Sequence, residues 1–210
     1  MSLLTSTTTL LGKELRTEFR SRELLTTTVV FILVVIVLFS FTFDPSASES
    51  RRFGPGLLWL AFLFAASLML QPCFLREQNN DTLSALRLSV RDPFSIFLAK
   101  LSANTLFLLL TEVLMLPIFA ILYNVHVVAV FPQLVLVLFL GSLGVAIPGT
   151  AFSAISAQAR MRELMLPLLL LPLLTPVLIA STEATASLMD TKPELRRDWV
   201  AFLAGFDVVF

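Results

Sequence analysis

The chain has 210 residues, 57% of them hydrophobic and only 14% charged, which is more apolar surface than a soluble core of that size can bury. Its 15 basic and 15 acidic residues cancel to a net charge of +0, with no basic excess of the kind that points to a nucleic-acid partner. Cys73 is the single cysteine, so an internal disulfide framework is excluded.

Residues 10–23 come first. Leu11, Leu15 and Phe19 recur at i, i+4, i+8 among Lys13, Glu14, Arg16, Glu18 and Arg20. That spacing predicts an amphipathic helix, either lying in the headgroup plane or extending the first span into the cytoplasm. Its interleaved charges, and the lack of a small-residue site after the apolar run that follows, argue against a cleavable signal peptide. Apolar stretches then run over about 24–43, 55–75, 98–122, 132–155 and 165–184. Each is near the roughly 20 helical residues that cross a ~30 Å hydrocarbon core. A sixth opens at Trp199 and stops at Phe210, too short to cross, so a final helix is expected to be incomplete. The predicted fold class is all-α: one polytopic membrane bundle over 1–210 with six spans.

The loop from Arg76 to Lys100 is the most distinctive connection. Asp81 is placed to cap a short helix on which Leu83, Leu86 and Val90 share one face, and Pro93 after Arg91 and Asp92 stops it. Lipid headgroups or a cytoplasmic partner could cover that face; the mixed signs of the loop charges, Glu77 among them, weaken an anionic-lipid reading. Glu112 lies well inside the third stretch, and His126 is the lone histidine, read as a solvated interface residue. In the fourth stretch Ala146, Thr150 and Ala154 form one row of small residues, and Gly149, Ser153 and Ala157 form the next, as close helix approach in lipid requires. Pro167, Pro172 and Pro176 predict a bent or locally unwound fifth helix, as a packing element or along a path. Glu183 ends that stretch and Asp207 lies in the sixth; with Glu112 they are the intramembrane carboxyls.

Ten of the 15 Lys and Arg fall on the side of the N-terminus, which the positive-inside rule places in the cytoplasm. No catalytic or metal motif stands out. The run Gly144–Thr150 has phosphate-loop glycine spacing but no following lysine. The expectation is a non-catalytic chain without a metal or cofactor of its own; any ATP hydrolysis belongs to another subunit.

In order, these features resemble the permease of a type-II ABC exporter. More closely they resemble the CcmB family of permeases from the cytochrome c maturation (haem) exporter. The resemblance rests on Phe53-Gly54-Pro55-Gly56-Leu57-Leu58-Trp59, on the Arg76–Lys100 loop, and on 140–185 with Gly141, Gly144, Gly149, Arg160, Arg162, Glu163, the three prolines and Glu183-Ala184-Thr185. Thr82 and Ser84 depart from the glycine and acidic residue expected there. The resemblance implies an inner-membrane permease paired with a cytoplasmic ATPase (CcmA-like) that holds ATP and magnesium. It also implies haem-presenting CcmC-like and small CcmD-like membrane partners and a haem chaperone, CcmE-like. The loop residues Arg76, Glu77, Asp81, Leu83, Leu86, Val90, Arg91, Asp92 and Pro93 would then dock in the ATPase groove. Two modes stay open: coupling ATP-driven motion to chaperone release, or translocating haem or another amphiphile, lipid or polysaccharide included.

Overall fold

A computed structural model describes residues 3–42, 47–75, 77, 86, 88, 90, 92–123, 130–156, 162–190 and 193–210. The described residues form seven long helices and no strand: α1 Leu3–Ser21, α2 Glu23–Thr42, α3 Ala47–Leu70, α4 Phe94–Leu122, α5 Phe131–Ser156, α6 Arg162–Met189 and α7 Arg197–Val209. Five of them contain stretches long and apolar enough to cross a membrane: Glu23–Phe41, Arg52–Leu70, Phe94–Leu122, Phe131–Ser156 and Leu170–Met189. The chain is a polytopic helical membrane protein, as expected. With 13 residues, α7 is too short for a span.

Three boundaries differ from the sequence reading. The second stretch ends as a helix at Leu70, not near 75, and turns through Gln71–Phe74. Pro72 disfavours helical geometry at Gln71, and the Cys73 N–H closes a tight turn on the Leu70 carbonyl at 3.2 Å. The third stretch begins at Phe94 because Asp92-Pro93 opens a helix: the Asp92 carboxylate accepts the Phe94 N–H at 2.9 Å, and Pro93 has no N–H to leave unpaired. The fifth stretch stays helical through Pro167, Pro172 and Pro176 and runs on to Met189. Pro172 and Pro176 are exposed on the outside of the bundle, not lining its interior.

Helices α3 and α5 are the central pair, each with well over half of its span buried, whereas α2 is peripheral. Helix α5 packs on α4, α6 and α7, while α3 packs on α2, α4, α5 and α6. The core between them is filled by Leu58, Trp59, Phe62, Met69, Leu134 and Leu174. Close approach depends on the small residues of α5. A Cβ on Gly141 would fall 2.1 Å from Trp59 Cη2, and one on Gly149 would fall 2.5 Å from Leu70 Cδ1. Ser153 donates its hydroxyl to the Leu70 carbonyl at 2.9 Å, fixing α5 to the end of α3.

Helix α1 is separate from α2. Arg22 between them adopts φ 55°, a left-handed conformation uncommon outside glycine, and turns the chain. Glu18, buried at the elbow, accepts from the N–H groups of Leu24 and Leu25 at 3.0 and 3.3 Å, capping the otherwise unpaired start of α2. Helix α1 then runs along the first half of α4. Leu10 packs in the cluster around Ile96, Lys13 and Glu14 sit by Lys100, and Phe19 meets Phe107 edge to face at 6.1 Å.

Candidate functional site

The start of α4 carries an ion cluster that joins the amphipathic helix to the loop after α3. Lys100 is 2% exposed, and its ammonium reaches Glu77 Oε2 at 2.9 Å and Glu14 Oε1 at 3.3 Å. It also donates to the Cys73 carbonyl and lies 5.0 Å over the Phe74 ring. The other oxygen of Glu77 accepts from Lys13 at 2.8 Å. Burial works to push the Glu77 carboxyl up, but Lys100 and Lys13 outweigh it and hold the group below the ordinary carboxylate value. For Lys13, partial burial pulls downward, yet its bond to Glu77 and the nearby Glu14 charge prevail and raise it above the usual lysine value. One carboxylate thus bridges two ammonium groups from two helices.

Below this cluster, the buried Asn104 amide donates to Thr150 Oγ1 at 2.9 Å and contacts Cys73 Sγ at 3.2 Å, tying α4 to α5. Burial pushes the Cys73 thiol up, away from the reactive thiolate. A cavity of about 30 Å³ lies here among Glu14, Glu18, Lys100 and Asn104, large enough for one water.

Of the predicted coupling-loop residues, Glu77, Leu86, Val90, Asp92 and Pro93 are described; Arg76, Asp81, Leu83 and Arg91 lie outside the described residues, as does His126. Leu86 and Leu88 have helical backbone and Val90 does not. The face carrying Leu86 and Val90 is covered by this chain itself: both are half-buried against Phe74 and Ile96, with Leu10 of α1 beside them. Among the described residues of the loop, the apolar side chain left open is Leu88, 88% exposed. Asp92 and Pro93 are exposed at the entrance to α4.

Within the bundle, Glu112 on α4 is 1% exposed, and neither carboxyl oxygen has a hydrogen-bond partner. It faces Ser142 of α5, whose hydroxyl is also unpaired. Both oxygens of Asp207 on α7 are likewise enclosed without a partner; a Cβ on Gly144 would fall 3.1 Å from Oδ1. Glu112 comes to α5 from α4 at Ser142 and Asp207 from α7 at Gly144, positions two residues apart on opposite sides of that helix, and the two carboxyls share no hydrogen bond. Glu183 is different: its side chain is 49% exposed and lies 3.8 Å from Arg196. No group of three or more metal-ligating side chains occurs among the described residues.

Sequence reasoning missed Lys13, Glu14, Lys100 and Asn104 as a connected group. It counted Lys100 as a loop charge; the available signal was its place two residues after the mostly apolar run Phe94-Ser95-Ile96-Phe97-Leu98, inside the helix that this run opens.

The sequence matches the CcmB protein family over residues 5–210. It is 33% identical over 197 residues to heme exporter protein B of Pseudomonas aeruginosa, covering 93% of this chain and 88% of that protein. Heme exporter protein B of Haemophilus influenzae is 31% identical over 170 residues, 81% of this chain and 76% of the relative. Its counterpart from Rhodobacter capsulatus is 30% identical over 174 residues, 83% and 79% of the two chains. With five spanning helices and a match along almost its entire length, the chain belongs to the CcmB family of heme-exporter membrane components.

Proposed function

We propose that this chain is the permease subunit of an ABC-type exporter for cytochrome c maturation, placed in the bacterial inner membrane with its N-terminus in the cytoplasm. It couples ATP hydrolysis by a separate CcmA-like ATPase, which holds ATP and magnesium, to release of a haem-loaded CcmE-like chaperone on the opposite side. CcmC-like and CcmD-like membrane proteins present the haem. The observation that carries this reading is the match to heme exporter protein B relatives over nearly the whole chain. Coupling is favoured over translocation by a core packed with Trp59, Phe62 and leucines, and by intramembrane carboxyls held apart on either side of α5. Force from an ATPase at the loop would pass through Glu77 into α1 and α4 together.

The test is co-purification with the neighbouring operon products, followed by an absorption spectrum. The expected result is a bound ATPase and a Soret band that stays with the CcmC-like partner. A Soret band that remains with the isolated permease would favour translocation, and the absence of any ATPase would overturn the ABC assignment. Leu88→Asp separates docking from folding. It should reduce ATPase co-purification and cytochrome c maturation at least about tenfold, the size of a lost interface anchor, with the amount of inserted permease unchanged. Leu86→Asp, placed in the chain's own cluster, should instead lower the amount of folded permease.

A further inference from the structure

On the membrane face opposite α1, helices α3 and α6 leave a groove of about 230 Å³ between Gly56, Trp59, Leu60, Leu178 and Ile179. It opens sideways, where Leu60 and Ile179 are 40% and 51% exposed. Glu183 stands on its rim, 3.8 Å from Arg196, and the Arg196 guanidinium lies 5.5 Å over the Trp199 ring. Gly56 faces Thr182 just over one helical turn inside Arg52, where the α3 span begins, so the rim lies at the boundary between hydrocarbon and headgroups. Trp199 beside it suits that level.

Two properties of the site select its occupant. Apart from Thr182 and the Glu183 rim the lining is apolar, and its volume has room for a length of one acyl chain. The rim carries both signs: a carboxylate and a guanidinium, each about half exposed and in contact only at the long limit of an ion pair. An anionic headgroup satisfies the guanidinium and is repelled by the carboxylate. A choline headgroup has no N–H to offer the carboxylate. A phosphoethanolamine headgroup matches both, with a phosphate for the guanidinium fork and a primary ammonium for the carboxylate. We propose that this groove holds one acyl chain of a phospholipid with a phosphoethanolamine headgroup, its ammonium on Glu183 and its phosphate on Arg196.

Trp59 lines the groove and is a built-in reporter. The full chain carrying Trp199→Phe is reconstituted into vesicles of one background composition, each doped with phosphatidylethanolamine, phosphatidylcholine or phosphatidylglycerol bearing brominated acyl chains. Brominated phosphatidylethanolamine should quench Trp59 at about a threefold lower mole fraction than the other two, the factor one half-exposed charge pair supplies. Glu183→Gln should level the three lipids. Gly56→Leu, whose first added atom has ordinary clearance from Thr182, should reduce quenching by all of them. Equal quenching by the three lipids in the unsubstituted groove overturns the proposal, as does a preference that survives Glu183→Gln. Absence of quenching by any lipid, the result of a second chain seated in the groove, overturns it as well.

Discussion

Lys100 illustrates how a charge is kept inside an apolar helix end. A buried ammonium costs several kcal/mol unless matched, and here two carboxylates, a carbonyl and a ring face surround it. Glu77 is the indispensable partner because it is itself nearly enclosed, whereas Lys13, 46% exposed at its side chain, gains little from a pair that water screens. Glu77→Gln should therefore lower stability by about 3–5 kcal/mol, and Lys13→Met by no more than about 1 kcal/mol. Thermal unfolding of the detergent-solubilised protein separates the two. The pH dependence follows from the same pairing. Stability linked to Glu77 is present above its ordinary value of 4.5 and lost as pH falls through its lowered folded value. Stability linked to Lys13 is present below 10.5 and lost as pH rises through its raised folded value. The wild-type contribution of the cluster should thus be flat between those limits, and a transition near neutral pH that Glu77→Gln removes would contradict it.

At the scale of elements, α3 and α5 are held by contacts that need missing side chains. Trp59 fits over Gly141 and donates its indole N–H to Thr185 Oγ1 at 2.9 Å, so one ring links three helices. Gly141→Ala places a methyl where the ring lies and must displace it from Thr185. The expected loss is about 1–3 kcal/mol, with a shift in Trp59 fluorescence, both measurable on the purified protein in detergent. Unchanged emission and stability would show that the ring has room to move. The small-residue rows of α5 were legible in sequence because lipid offers no hydrophobic drive between helices, leaving close packing as the main attraction. Which helix they met was not legible. Small side chains mark a close approach without specifying the partner, and only the tertiary arrangement places Leu70 against Gly149 and Ser153.

For the whole molecule, the order of spans makes a topological prediction. Between Leu88 and Glu194 the chain crosses through α4, α5 and α6, so the two positions belong to opposite faces. Both are exposed. In intact spheroplasts an impermeant thiol reagent should label Glu194→Cys and leave Leu88→Cys unlabelled until the membrane is opened. The reverse pattern would invert the orientation drawn from the basic residues.

The sequence alone determined the class of the molecule, the number and approximate limits of its long apolar helices, its charge asymmetry and its family resemblance. These depend on local composition and on periodicity relative to a fixed bilayer thickness, which short windows report. The tertiary structure decided which polar groups meet. Glu77 pairs with lysines 64 positions earlier and 23 later, and Leu86 is covered by residues from two other elements. Glu112 and Asp207, alike in sequence as lone intramembrane carboxyls, prove to be separated by α5. Such pairings depend on how helices cross and rotate. Those angles are set by the packing of all the faces at once, and no single stretch of chain contains them.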